Sequence, residues 1–364
     1  MSNSNFKILS CDGGGIRGLI TASILQELDK ELHFLDQIDL FVGTSTGGLI
    51  ALGLASDVSI STLVNLYGDS SNCSQIFTPY HPPHSSLLSD QLVDSYLKEI
   101  DGIERSPEIE KILKDLDKFL YVKYNNTGLK TVLKNTIPHS SQTLKCLRKK
   151  VLVTTFQLYN ASDSKNHSWK PITLDNLPKN PIHSEKTKIL DAALCTSAAP
   201  IYLPPYEHPD YGLCVDGGVF ANNPSTLALA RVIDSGILGT GNIQNIKLLS
   251  IGTGETQDSL PPSYQPHGPL RYGLTTWLWP FAVDPTPKFP LLAMLMDSSA
   301  AIDNLQANMF LGNEKYRRMN VELTEPIDAF GCSGIDAMKK LVSQYTHSPV
   351  WNEDTTWIKQ HYLK

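Results

Sequence analysis

Three stretches of this 364-residue chain hold residues of a type and spacing that could do chemistry. Gly43-Thr44-Ser45-Thr46-Gly47 fits G-x-S-x-G, an elbow that turns a strand sharply into a helix and lifts a serine hydroxyl clear of a sheet. Gly43 and Gly47 keep side chains out of that turn. Asp12-Gly13-Gly14-Gly15-Ile16-Arg17-Gly18 contains G-x-G-x-x-G directly after an apolar run. Asp216-Gly217-Gly218 closes a third apolar run, and the carboxyl end of a strand is where open parallel sheets place ligands.

The glycine turn admits two readings. A dinucleotide fold would need an acidic residue about 20 positions on, ending the second strand and holding the ribose. Asp36 and Asp39 instead lie before or at the start of that strand, which ends in Gly43-Thr44-Ser45. An acyl-transfer site needs what the turn does offer: consecutive N–H groups of Gly13, Gly14 and Gly15 at a helix N-terminus, aimed at a developing oxyanion. Asp12, Arg17 and Gly18 would support that loop.

A serine nucleophile also needs a base. His267, His347 and His361 come late enough in the chain for a triad, but their contexts read as surface histidines. Asp216 is the better candidate, with Gly217 and Gly218 letting another group approach, although DGG alone reads more plainly as a bare turn. No Asp/Glu/His cluster has metal-ligand spacing, so no metal and no cofactor is expected.

The elements that must position these residues alternate. Strand Phe6–Ser10, a helix from Leu19 to Leu32, strand Ile38–Val42 and a small-residue helix over Leu49–Leu54 predict a parallel α/β sheet. Further strands are expected at 151–159, 211–218, 246–254 and near 318–323. A buried helix should stop at Pro200, another should carry Pro224 in its first turn, and helices should cover 291–309 and 335–345. Residues 70–149 read as an inserted, mostly irregular stretch, with a helix after Asp90 and a solvated helix over 104–118. Residues 258–290 interleave eight prolines with Trp277, Trp279 and Phe281 and read as a lid or binding loop. One domain with insertions, its core over about 6–325, is expected over two.

Composition bounds the partners. A net charge of −6 and a pI near 5.9 argue against nucleic acid. Cysteines 11, 73, 146, 195, 214 and 332 show no paired spacing and are expected as reduced thiols. The N-terminus has no room for a secretory signal, and no apolar stretch reaches a membrane span, so a cytoplasmic protein that meets membranes only peripherally is expected.

In this order, DGGGIRG, GTSTGG and DGG, with CTSAAPIYLPP between the second and third and SIGTG after the third, resemble the patatin-like phospholipases. The resemblance implies a mostly parallel α/β sheet sandwiched by helices, related to the cytosolic phospholipase A2 catalytic domain. It implies a lipid acyl hydrolase with Ser45 as nucleophile, Asp216 as base and Gly13–Gly15 as oxyanion hole. A phospholipid or other acyl lipid at a membrane surface would be the substrate, with no metal required. Two other classes stay in view: a nucleotide-binding oxidoreductase using the glycine turn, and a binding module whose site is silent.

Overall fold

The apolar run Phe6–Cys11 forms β1 at the centre of an eight-stranded sheet in the computed structural model. The structure describes residues 5–81, 121–161, 167–260, 277, 286–325 and 327–364. β1 pairs in parallel with β2 (Leu40–Gly43) on one side and β7 (Ile246–Ile251) on the other. β3 (Lys150–Tyr159) and β8 (Tyr316–Met319) extend this parallel set. β4 (Lys170–Asp175), β5 (Tyr206–His208) and β6 (Gly212–Asp216) add an antiparallel margin. β2 and β7 are buried along their whole length, as strands covered on both faces must be.

Alternate residues of these strands enter two separate cores. Leu9, Phe41 and Leu249 pack with α1 (Gly18–Leu32), α2 (Thr46–Ala55) and α3 (Ile60–Gly68). The same face takes α4 (Ser70–Ile76), α5 (Thr127–Thr136), α6 (Ile189–Thr196), and residues of two helices near the C-terminus. Ile8, Leu40 and Leu248 pack against Ala228, Leu229 and Val232 of α7 (Ser225–Ser235) and Ala307 and Leu311 of α8 (Pro290–Leu311). The sandwich of helices around a mostly parallel sheet is the expected class.

The register of β3 sets up the chemistry. β4 pairs with residues 152–157 of β3 and so occupies one edge of it. The other edge is shared by β2, which puts Gly43 beside Val153, and β6, which puts Asp216 beside Thr155. The two strands run toward one another, so their carboxyl ends meet across two residues of β3, about 7 Å. Ser45 follows one end and Asp216 is the other.

Several elements depart from the sequence reading. α6 ends at Thr196, short of Pro200, because the Ala198 carbonyl is taken by the Asp216 N–H (2.9 Å). Pro224 caps α7 rather than sitting in its first turn, and Asn223 Oδ1 accepts from the Ser225 N–H (3.1 Å). β8 starts and ends earlier than expected. α4 and α5 replace part of the irregular stretch expected over 70–149, and α9 (Ile335–Thr346) is followed by an unforeseen α10 (Pro349–Trp357). The helix after Asp90, the solvated helix over 104–118, and the Leu278, Trp279 and Phe281 cluster lie outside the described residues.

The cysteine expectation fails for one pair. Cys73 of α4 and Cys332 form a disulfide across 259 residues of chain, with Cα atoms 6.0 Å apart. Among the other four, Cys146 alone is exposed. A cross-link over so long a loop restricts the unfolded chain strongly, and such bonds typically contribute about 2–4 kcal/mol. Cys73→Ser with Cys332→Ser should therefore lower the urea midpoint, and reductant should do the same to the parent. A midpoint indifferent to reductant would show that the bridge does not form in solution.

Candidate active site

Ser45 sits between β2 and α2 with φ 53° and ψ −123°, a backbone conformation side chains rarely adopt. It persists because its surroundings over-determine it. The Thr44 N–H donates to Cys11 O (3.2 Å), the Thr44 hydroxyl to Ala221 O (2.6 Å), and the Leu49 N–H to Ser45 O (3.0 Å). The Ser45 N–H donates to Thr196 Oγ1 at 2.9 Å, which ties the elbow to the end of α6. Gly43 and Gly47 are in contact within the turn, and a Cβ on Gly47 would strike the Cys11 carbonyl. Ser45 thus stands at a sharp turn from strand to helix.

Asp216 is buried at the end of β6, and its Oδ1 accepts the Gly218 N–H at 2.8 Å, with Gly217 and Gly218 opening the turn. Burial pushes its carboxyl up to about 7, and the Ser45 hydroxyl and the Gly218 N–H hold it back from going further. The structure therefore brings Ser45 and Asp216 together. It does not bring the histidines: His347 is exposed and bonds Ser343 O (2.7 Å), His361 stacks on Trp357, and His267 lies outside the described residues.

The glycine turn is more specialised than the sequence suggested. The Gly13 N–H is consumed by Asn222 O (3.0 Å), so Gly13 is not a free donor; its lack of a side chain instead lets Ser45 and Asn222 close in. The Gly14 and Gly15 N–H groups have no acceptor among the described residues. The turn is held from outside by Thr253 Oγ1 donating to Gly13 O (2.9 Å) and the Ile16 N–H donating to Ala329 O (2.7 Å). Gly18 packs on the Thr46 side chain, joining the start of α1 to that of α2.

Arg17 braces the turn with its backbone, donating to Gly14 O (3.1 Å), while its side chain lines the cavity over Ser45. Its Nε lacks a partner among the described residues. Burial weakens its hold on the proton, and the carboxylates of Asp297, Asp258 and Asp328 counter that. Asp12 is fixed by Arg318 of β8, whose Nη1 and Nη2 donate to its two carboxylate oxygens at 2.8 and 2.5 Å, with Nη1 also reaching Ser250 (2.8 Å). Nothing in the sequence marked the roles of Arg318, Thr196 or the Asn222 carbonyl, since each acts through a partner far away in the chain, although Thr196 lies in the quoted CTSAAPIYLPP stretch.

Over these groups lies a cavity of about 420 Å³. Gly14, Ser45 and Asp216 line it, and Tyr202, Phe289, Leu292, Met296 and Phe330 supply apolar walls. Phe330 stacks on Tyr202 with ring centroids 3.6 Å apart, in a loop anchored by Cys332 and by the Ala329–Ile16 bond. Apolar walls above a buried hydroxyl and carboxyl have room for a long apolar chain.

Comparison with known proteins places the chain among relatives of one family. The family model described as patatin-like phospholipase matches residues 9–229. Patatin-like protein 2 of Arabidopsis thaliana is 31% identical over 304 residues, covering 74% of this chain and 65% of the relative. A protein named cGAMP-activated phospholipase, from Vibrio cholerae, is 30% identical over 273 residues, covering 71% and 66%. The chain thus spans just under two thirds of the length of these relatives. Among solved structures, VipD from Legionella pneumophila superimposes loosely, with a TM-score of 0.38 at 13% identity over 94% of this chain and 67% of VipD.

The Asp12–Arg318 pair gives a test of how the turn is held. Both side chains are largely buried, so Arg318→Gln strands a carboxylate and should cost about 3–5 kcal/mol of stability. Asp12→Asn combined with Arg318→Gln should recover most of that loss. Independent, additive losses in the urea midpoint would show that the two side chains do not act as a pair.

Proposed function

The chain belongs to the patatin-like phospholipase family, and we propose that it hydrolyses the acyl esters of lipids through a Ser45–Asp216 dyad and an acyl-enzyme. The observation that carries this reading is the Ser45 hydroxyl facing a buried carboxyl whose pKa is lifted to about 7, on the floor of an apolar cavity. An ordinary aspartate is too weak a base for a hydroxyl; one near neutrality is much better matched to the task.

In the proposed first step Ser45 Oγ bonds to the ester carbonyl carbon while its proton passes to Asp216. The carbonyl oxygen becomes an oxyanion held by the Gly14 and Gly15 N–H groups, with the N-terminus of α1 behind them. Collapse breaks the ester C–O bond, and the lyso-lipid alkoxide takes the proton from Asp216. Water then attacks the Ser45 ester, giving a proton to Asp216, which returns it to Ser45 as the fatty acid leaves. Gly13 serves the approach of Ser45 rather than the oxyanion. A nicotinamide reading finds no support at the second strand, where Ser45 occupies the place of the ribose ligand. The cytoplasmic placement expected from the sequence has a measurable handle, because a reducing compartment would keep Cys73 and Cys332 open.

Ser45→Ala should cut kcat by about 10⁴- to 10⁶-fold in an assay of fatty-acid release while leaving the far-ultraviolet spectrum unchanged. His347→Ala and His361→Ala should retain most activity. A histidine variant as inactive as Ser45→Ala would replace the dyad with a triad.

The lifted carboxyl makes two pH predictions of defined sign. Asp216 accepts a proton only when ionised, so kcat/KM should rise with pH through about 7 and then level. Folding works the other way. Between its ordinary value near 3.8 and about 7, the folded carboxyl binds a proton that the unfolded chain has released. Stability from that proton is full below about 4 and is lost as pH passes 7. Asp216→Asn should therefore be inactive yet more stable than the parent at pH 8, by up to a few kcal/mol. A less stable Asn variant at pH 8, together with a flat pH–rate profile, would refute an elevated pKa.

A further inference from the structure

α8 is apolar on the side it buries and also on the side it exposes. Ala307 and Leu311 pack into the core, while Met294, Leu295, Ile302, Leu305, Met309 and Phe310 are 48–73% exposed. Steps of three, four and eight residues place 294, 302, 305 and 309 along one stripe, about 22 Å long at the helical rise. A surface helix ordinarily turns charge outward. This one has two charged residues in 22, and neither interrupts the stripe. Asp303 is buried and bonds the Thr226 hydroxyl, and Asp297 lines the cavity near Arg17. Asp297, Ser298, Ala301, Gln306 and Asn308 are the other exposed residues of the helix, with Asp297 to one side of the stripe and Ser298 within it.

The stripe is continuous with the mouth of the site. Leu292, Ala293 and Met296 line the cavity over Ser45, and Met294 and Leu295, at the head of the stripe, lie between them on the same turn. We propose that the outward face of α8 rests in the surface of a neutral, zwitterionic phospholipid bilayer and sets the cavity mouth against it. This rests on the lipid hydrolase reading and names the surface by which substrate reaches the site. The charge of the helix selects a neutral surface, and its length selects one that it lies on. The helix contains no Lys, Arg or His, so it has nothing with which to attract anionic headgroups. No helix among the described residues is long and apolar enough to cross a membrane, so α8 would lie on the surface. A second copy seated on the stripe would cover its head, and with it the way to Ser45.

The test uses the full chain carrying Ser45→Ala, so that vesicles survive the measurement. Flotation with phosphatidylcholine vesicles should recover the protein. Adding Ile302→Glu, Leu305→Glu and Met309→Glu should weaken that binding by about tenfold or more, because interfacial affinity follows buried apolar area. Replacing part of the phosphatidylcholine with phosphatidylserine should give no gain. With Ser45 restored, the same three substitutions should leave hydrolysis of a soluble short-chain ester within about twofold of the parent, since none of the three lines the cavity. Vesicle binding unaffected by the substitutions would overturn the proposal, as would a parent that ignores vesicles. A parent dimer seen by light scattering, dissolved by the substitutions and indifferent to vesicles, would assign the stripe to a second copy instead. Binding lost with the stripe in a protein that hydrolyses no ester would uphold the surface and refute the hydrolase reading.

Discussion

The proposed chemistry depends on keeping one buried carboxyl ionisable beside one hydroxyl. Desolvation alone would hold Asp216 neutral, and a neutral carboxyl cannot take the Ser45 proton. The Gly218 N–H and the Ser45 hydroxyl oppose that pressure, and the balance falls near neutral pH. A more exposed Asp216 would be too weak a base, and one stripped of these two partners would remain protonated. The sheet meets this demand by bringing β2 and β6 end to end on one edge of β3, with no charged group needed to pull them together.

The donors proposed for the oxyanion need the opposite treatment: N–H groups left open, on a backbone that cannot move to satisfy them. The turn is therefore fixed by its neighbours. Asn222 O, Ala329 O and Thr253 Oγ1 bind the residues on either side of Gly14 and Gly15, and Arg318 clamps Asp12 in front of them. Donors held in this way need little reorganisation when charge develops, and low reorganisation gives electrostatic stabilisation its effect.

Much of this was legible because the signals were local. β1 and β2 are short apolar runs that end in glycine turns, and the whole Gly43–Gly47 motif lies within two residues of Ser45. The pairing of strand and turn also singled out Asp216. What could not be read was non-local. Arg318 meets Asp12 across 306 residues, Cys73 meets Cys332 across 259, and Thr196 meets Ser45 across 151. The three-residue β5 and the Lys- and Pro-bearing start of β4 lack an alternating pattern, and their pairing to β6 and β3 makes them strands. Gly13 illustrates the limit most directly: its motif identifies a turn rich in N–H groups, but only the position of Asn222 decides which of them is already spent.

The strain at Ser45 belongs to the same economy of position. A non-glycine residue at φ 53° costs on the order of 1–3 kcal/mol. A glycine there would relieve the strain and remove the hydroxyl, so the turn cannot relax and keep the nucleophile proposed for it. The compensation lies next door, in α2, whose ten residues are all buried and whose first backbone bond begins at Ser45 O. Burying that helix opposes any rotation of the elbow that would lower the local strain, because the whole segment would have to leave the core with it. The small side chains of α2 then have a mechanical reason: Gly47 admits the Cys11 carbonyl and Gly48 the Thr196 side chain, which brings the helix close enough to the sheet to hold the elbow.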